Sequence, residues 1–582
     1  MNLSRRKMMQ LTAALAPAAL ASGHGMAQQA EQETDLRPTV SRVHPGPSGK
    51  LEYVADELGN NIPDFSHAGY GGGGVPIPTV TTKETIWPVA GDNTANVQAA
   101  IDKVSAMPPD ASGFRGAVLL RAGYYPMAMP VTIHTSGVVL RGEGMGDTGT
   151  ILIGTGNPRA ATAAAPPAPA APATAQGQAA PGQGRPGGPP GGGRGPGGGQ
   201  PTLIRIAGSA GWVTNDASKQ LVTDDYVPVG SRSIRVANAR GFKAGDTVIV
   251  RRIGNADWIA AMGMNGTTQA NTWRPFNVEW DRVVVDVQGN TILIDAPITC
   301  AIEKKWGGGE VLKYDDPERI EHVGVENMRG MSEFNPTVRT KDYGNMERQN
   351  YSAEEYYSDE NHYANFITLD NIRNAWVRNC TALHFVYSMV GTQRGSKWVT
   401  VQDSVSREPI SQRRGARRFT FALRGELALV QRCHSDKGRH SFMMGQPTST
   451  SNVFLDCEAT KPYSSSETHE QWATGGLYDN VHAPLTARFW KDINIGWGGG
   501  NTVMWNCEGP FFVQKPPTAQ NFSFGHIGVD SVSFNIPLQD PTKEGGYIES
   551  LDSHVTPRSL YLAQLRDRLG DMAVRNIGAS GA

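Results

Sequence analysis

The stretches Val325-Glu-Asn327, Val377-Arg-Asn379, Val401-Gln-Asp403, Val430-Gln-Arg432, Phe454-Leu-Asp456, Tyr478-Asp-Asn480 and Met504-Trp-Asn506 repeat one short pattern down the second half of the chain. Their last residues are separated by steps of 52, 24, 29, 24, 24 and 26. One rung of a parallel β-helix takes about this many residues, and 52 corresponds to two rungs or to one rung with an insertion. The residues that follow the triplets are Met328, Cys380, Ser404, Cys433, Cys457, Val481 and Cys507, a column of small or apolar groups suited to an inward position. Four of the five cysteines therefore read as packing residues rather than metal ligands. The Asn/Asp column reads as a turn position, where short polar side chains hydrogen-bond the backbone and each other. Tyr478 falls in the apolar column and reads as core rather than as a catalytic phenol.

Outward from this ladder, the rest of the 582 residues falls into place as one solenoid with additions, although length alone would suggest about three domains. Lys and Arg number 54 against 55 acids, so nothing global points to a nucleic-acid partner, and any charged ligand must be met locally. The start carries Arg5 and Arg6, the apolar run Leu11 to Leu20 and a small-residue exit at Gly25-Met-Ala27. It looks like a twin-arginine signal over 1–27, too short to anchor in a bilayer, and implies a periplasmic or secreted protein with free thiols and no integral membrane segment once mature. Residues 28–85 are polar and rich in Gly and Pro and read as an extended arm. Residues 159–201 hold no acid and no large apolar group, and read as a disordered Ala/Pro/Gly-rich insertion. Over 202–310 the segments Ser233-Ile-Arg-Val236, Asp246-Thr-Val-Ile-Val250, Arg282-Val-Val-Val-Asp286 and Asn290-Thr-Ile-Leu-Ile-Asp295 predict a small β-subdomain inserted in the solenoid. The main helix is expected over 311–530, and 531–582 holds a tail and a helix closed by Gly570 that covers exposed strand edges.

The first segment of the solenoid, 86–158, opens with Asp92-Asn-Thr-Ala-Asn-Val-Gln-Ala-Ala-Ile-Asp102. Its Val97, Ile101 and Val104 are spaced for one short amphipathic helix. Three β-rich runs follow: Gly116-Ala-Val-Leu-Leu-Arg-Ala-Gly123, Val131-Thr-Ile133 and Val138-Val-Leu-Arg-Gly-Glu-Gly144. This order resembles the opening of the pectate-lyase-like superfamily of right-handed parallel β-helices. Gly438-Arg-His440, Thr468-His-Glu-Gln-Trp-Ala-Thr-Gly475 and Gly496-Trp497 resemble a bacterial group within that superfamily. In that group's pattern positions 470, 471 and 495 are usually His, Arg and His; here they are Glu470, Gln471 and Ile495. The resemblance spans most of 60–570. It implies an exported protein that acts on a polysaccharide.

Chemistry is expected on a second set of β-like segments between the ladder positions. Aligning Gly445, Gly475 and Gly500 puts Arg439, His469 and Asn494 in one column, and His440, Glu470 and Ile495 in the next. Residues 400–440 also hold nine Lys/Arg against four acids, a local positive field suited to an anionic polysaccharide or oligosaccharide. β-Elimination on a uronate polymer needs a charge that neutralises the carboxylate, a base for the C5 proton and an acid for the leaving oxygen. Arg417, Arg418 and Arg439 are candidates for the first role, His440 or His469 for the base with Arg439 as a second candidate, and Lys437 or water for the acid. Glu470, Asn494, Trp472 and Trp497 complete the candidate substrate site, the tryptophans as stacking platforms or as buried core. Three alternatives stay open. The arginines pair with Glu354, Glu355, Asp359 and Glu360; or Asp436 and Glu470 form a glycoside hydrolase pair, which needs carboxylates about 5–9.5 Å apart; or the chain binds glycans without catalysis. No cofactor is read from the sequence, and calcium stays open because no compact acidic loop is present.

Overall fold

The computed structural model describes residues 41–156, 201–268, 271–342, 354–491, 493–528, 540 and 542–579. The expected signal segment, the start of the arm and all of the Ala/Pro/Gly-rich tract except Pro201 lie outside the described residues. The ladder is reproduced residue for residue in parallel register. Val325 pairs with Val377, Val377 with Val401, Val401 with Val430, Val430 with Phe454, Phe454 with Tyr478, and Tyr478 with Met504. Because Val325 and Val377 are direct neighbours, the 52-residue step is one rung with an insertion. The column runs back through Leu140 to Val118 and forward to Ser523. The fold is a right-handed parallel β-helix with a nine-stranded parallel sheet along one side.

Each rung turns a corner at one residue in the left-handed backbone region. Asn327, Asn379, Asp403, Arg432, Asp456, Asn480 and Asn506 all have φ between 49° and 59°. Asn and Asp tolerate that conformation because their short side chains bond locally, which explains the column. Asn379 Nδ2 donates to Asn327 Oδ1 at 3.1 Å, linking one rung to the next. Arg432 is the exception, and its guanidinium is held by both oxygens of Asp403 at 2.7 and 3.0 Å. One residue on, the chain points inward. Cys380, Cys433, Cys457 and Cys507 are free and buried. The thiols of Cys433, Cys457 and Cys507 reach the carbonyls of Val401, Val430 and Tyr478 on the preceding rung. Tyr478 is fully buried in the same core.

The helix Thr94–Ser105 buries Val97, Ala100, Ile101 and Val104 at the first rungs. At the other terminus Ser559 caps the helix Leu560–Leu569 through Leu562 N–H and donates to Asp479 Oδ2 at 2.7 Å. The apolar side of that helix covers Leu429, Val453, Leu477, Val503 and Trp505, outward residues of successive rungs, so it lies along a flank of the stack. The arm shares this cover through Ile62, Phe65 and Ala68, and is less extended than its composition suggests, since Val43–Pro45 and Leu51–Tyr53 form a hairpin.

The insertion lies between Thr202–Ala207 and Ile320–Ser332 and is an antiparallel sheet that includes Thr247–Arg252, Val278–Gln288, Thr291–Ile294 and Gly309–Asp315. Buried charges join it to the solenoid. Asp281 accepts from Lys397 Nζ at 2.9 Å, Arg319 Nη1 at 2.6 Å and Tyr314 OH at 2.7 Å, and Arg282 Nη1 donates to Glu426 at 2.6 Å. Trp472 and Trp497 of the solenoid enter the insertion's own core beside Trp258 and Trp273.

Candidate active site

In the nine-stranded sheet, Ala422, Met443, Glu467 and Thr486 are aligned on successive rungs. Side chains alternate along a strand, and Phe421, Leu423, Phe442 and Met444 fill the main core, so this column faces away from it. An outward carboxylate is ordinarily solvated, yet Glu467 is fully buried. His440, His469, Thr486 and Arg488 surround it. His469 Nδ1 donates to Glu467 Oε1 at 2.5 Å, and His440 Nδ1 lies 3.2 Å from the same oxygen and 2.6 Å from the Ser465 carbonyl. Thr486 Oγ1 donates to Oε2 at 2.6 Å, with Arg488 Nε 3.5 Å from that oxygen. Arg488 also stacks on Trp490, 3.6 Å from its ring centre.

The electrostatics follow from this packing. Burial alone would raise the Glu467 pKa, but His440, His469 and Arg488 outweigh it and hold the carboxyl well below its usual range. Burial, reinforced by the Arg439 charge, pushes His440 well below an ordinary imidazole, so it is neutral. Its Nδ1–H then faces the Ser465 carbonyl. With His469 Nδ1–H committed to Glu467, the lone pair of His469 lies on Nε2, the arrangement of an oriented base. His440, Glu467 and His469 are also the one group of three potential metal ligands among the described residues. Two imidazoles do not suit calcium, which takes oxygen ligands, and the buried Arg488 cation disfavours any metal ion there.

The two histidines thus meet, with ring centres 4.4 Å apart, although the glycine alignment that paired their columns does not hold. Met443 pairs with Glu467 and, across a bulge, Gly445 with Glu470, while Gly500 pairs with Thr474. The glycines play different parts: Gly475 has φ +63° at a turn, whereas Gly445 lies in the strand Phe442–Gly445. Glu467 was missed as one acid among many. Its position two residues before His469 on one strand was the available signal, since i and i+2 share a face.

Most other expected site residues are engaged elsewhere. Arg417 is held by both oxygens of Glu360 at 2.7 and 2.9 Å, the pairing weighed from the sequence. Arg418 straps Ser411, its Nε donating to the hydroxyl and its Nη2 to the carbonyl, so these donors are committed within the fold. Arg439 is buried over Phe419 and donates to the Gly415 carbonyl. Lys437 sits at the corner before Arg439, 3.9 Å from Asp436. Trp472 and Trp497 are buried in the core shared with the insertion and offer no face to a sugar. Asn494 accepts from Trp273 Nε1 through its backbone carbonyl at the insertion's edge. The basic strip also dissolves, because Arg432 turns to Asp403 and to the Ile577 carbonyl near the C-terminus. Asp436 lies in the strand His434–Asp436, in a different sheet from Ser466–Glu470. A surface depression of about 420 Å³ on the insertion is lined by Asp225, Tyr226, Glu303, Lys304 and Lys305; both lysines are ion-paired and no candidate site group reaches it.

Around the dyad stand groups that the sequence reading did not bring together. Phe419 touches the rings of His440, His469 and Tyr387 with centres 4.9, 5.1 and 5.2 Å away. Tyr387 OH accepts from Arg424 Nη2 at 2.9 Å, and Glu470 Oε2 lies 3.6 Å from the same nitrogen. Burial raises the Tyr387 pKa, so the phenol keeps its proton.

No family model matches the chain, and no curated protein matches it. Solved structures are similar to it. The tailspike protein gp49 of Pseudomonas phage LKA1 is 12% identical over 75% of this chain and 56% of that one, with a TM-score of 0.38. The Gp54 tailspike of Acinetobacter baumannii bacteriophage AP22, solved with a capsular saccharide, is 11% identical over 76% of this chain and 56% of that one, with a TM-score of 0.36. The catalytic domain of a GH87 α-1,3-glucanase, solved with nigerose, is 8% identical over 82% and 67%, with a TM-score of 0.32. The chain spans a little over half the length of the two tailspikes.

Proposed function

We propose that this chain is an exported enzyme acting on glycans, and that it cleaves a uronate-containing polysaccharide by β-elimination. The observation that carries this reading is the 2.5 Å contact between Glu467 and His469 on the outward side of the sheet. In the proposed step His469 Nε2 takes the C5 proton of the uronate. The electron pair released forms the C4–C5 double bond, the C4–O bond breaks, and the leaving oxygen takes the Tyr387 hydroxyl proton. Glu467 stabilises the imidazolium that forms and orients the ring, as a buried carboxylate behind a histidine does. Tyr387 suits the acid role because Arg424 donates to its oxygen, leaving its own hydrogen for the substrate. The resemblance of 60–570 to pectate-lyase-like proteins and the paired Arg5 and Arg6 support the polysaccharide and export parts of the reading.

Asp436 and Glu470 lie on strands of different sheets and Glu467 is enclosed by its own partners, which favours elimination over hydrolysis by a carboxylate pair. The test is incubation of the purified protein with a panel of uronate polysaccharides, following the ultraviolet absorbance of the unsaturated product. Absorbance that rises with time is expected. New reducing ends without absorbance would reject elimination in favour of hydrolysis, and binding without either product would leave a glycan-binding protein.

A further inference from the structure

We infer that Arg424 is the specificity-determining residue of this site: its guanidinium takes the carboxylate of the bound sugar, and Glu470 stands in for that carboxylate until substrate arrives. The inference rests on the proposed glycan chemistry and names the feature of the sugar that is read.

Three rungs define the place. Ala422 and Leu423 pair with Met443 and Met444, which sets Arg424 beside Gly445, and Gly445 pairs with Glu470. Leu423 and Met444 enter the core, so the row Arg424, Gly445, Glu470 faces outward with the dyad. The middle member has no side chain. A Cβ at position 445 would stand 3.4 Å from both the Cβ and Oε2 of Glu470, so the glycine keeps open the space into which Glu470 leans.

Arg424 is only 1% exposed and cannot lose its charge. Nη2 has Tyr387 OH, but Nε and Nη1 are buried without a hydrogen-bond partner, and Glu470 stays 3.6 Å away. A buried guanidinium left this incomplete calls for an anion with better geometry, and a carboxylate is the group its planar donors fit. Glu470 is free to yield, since its side chain is 19% exposed at the strand end. His469 is its immediate neighbour in the chain, so a carboxylate seated on Arg424 brings the same sugar to the base.

The test uses the full chain and measures binding of galacturonate, glucuronate, mannuronate and guluronate oligomers, each as the free acid and as the methyl ester. The wild type is expected to bind its best acid oligomer at least about tenfold tighter than the ester, the scale of a charge-assisted pair. Arg424→Met should cut that preference to within about twofold. Glu470→Gln should tighten acid binding by about threefold or more, a gain that damage to the fold would not produce. A preference kept in Arg424→Met, or acid binding weakened in Glu470→Gln, overturns the inference while the enzyme reading stands. If the wild type neither binds nor cleaves any uronate polymer, the proposed function fails and this inference falls with it.

Discussion

Glu467 holds His469 by a 2.5 Å hydrogen bond to Nδ1 while remaining fully buried on the outward face of the sheet, where a carboxylate would ordinarily meet water. Its ionised state is sustained by His469 from its own strand and by the His440 imidazole, the Thr486 hydroxyl and the buried Arg488 guanidinium from neighbouring rungs. A charge enclosed and partnered in this way fixes the tautomer and direction of one ring, and the reading of the site depends on it.

Glu467→Gln tests that relationship. The amide keeps the shape but removes the charge that stabilises a protonated His469, so kcat on the uronate substrate should fall about 100-fold or more with KM little changed. His469→Ala should fall at least as far. Turnover in either variant within about threefold of wild type would remove His469 from the role of base.

His526 gives a prediction for pH. Its ring stacks on Phe511 with centres 4.1 Å apart, and Nε2 meets the Gly509 carbonyl at 2.8 Å. Burial lowers its pKa to about 4. The folded state therefore binds fewer protons here than the unfolded chain, whose imidazole titrates near 6.5. The stability is present above about pH 6.5 and is lost as pH falls towards 4, by about 3 kcal/mol at most. Thermal melting of His526→Gln, which retains a donor for Gly509, should depend less on pH over that window. Parallel curves for variant and wild type would refute the assignment.

Asn379 tests the corner column. At φ 51° glycine is free of strain, so Asn379→Gly should lose only the bond to Asn327 and stay within about 1 kcal/mol. Asn379→Val places a β-branched residue in the same conformation and should cost about 2 kcal/mol or more by urea unfolding. Equal costs would show that the bond, not the backbone, sets the residue type.

Asp281 tests how the insertion is joined to the solenoid. Asp281→Ala would leave Lys397 and Arg319 buried without their shared anion, and should cost about 3–5 kcal/mol. A loss below about 1 kcal/mol in denaturant unfolding would mean that these charges are not what holds the insertion.

The ladder was legible because each of its positions asks for one property of one side chain. The corner accepts a residue tolerant of positive φ, as at Asn379 and Asn480, and the next place needs something small and apolar, as at Cys380 and Val481. Such demands recur every rung, so their period alone specifies register. The amphipathic helix at Thr94–Ser105 and the strands of the insertion were legible for the same reason, local periodicity.

The site had no such period. Arg417, Arg418 and Arg439 read alike in sequence, yet Glu360, Ser411 and Phe419 engage them separately, through contacts that bring distant segments together. Trp472 and Trp497 are core because the insertion covers them, a contact that no local pattern specifies. Sequence by itself determined the rung and the positions of its corners, because stacking repeats one local rule, and it named His440 and His469 only as candidates. Tertiary structure alone decided that Glu467 lies beneath those histidines and that Arg424 faces Glu470. The outward face of a solenoid is defined by what covers it, and a bulge between Met444 and Gly445 shifts the register where the chemistry is proposed.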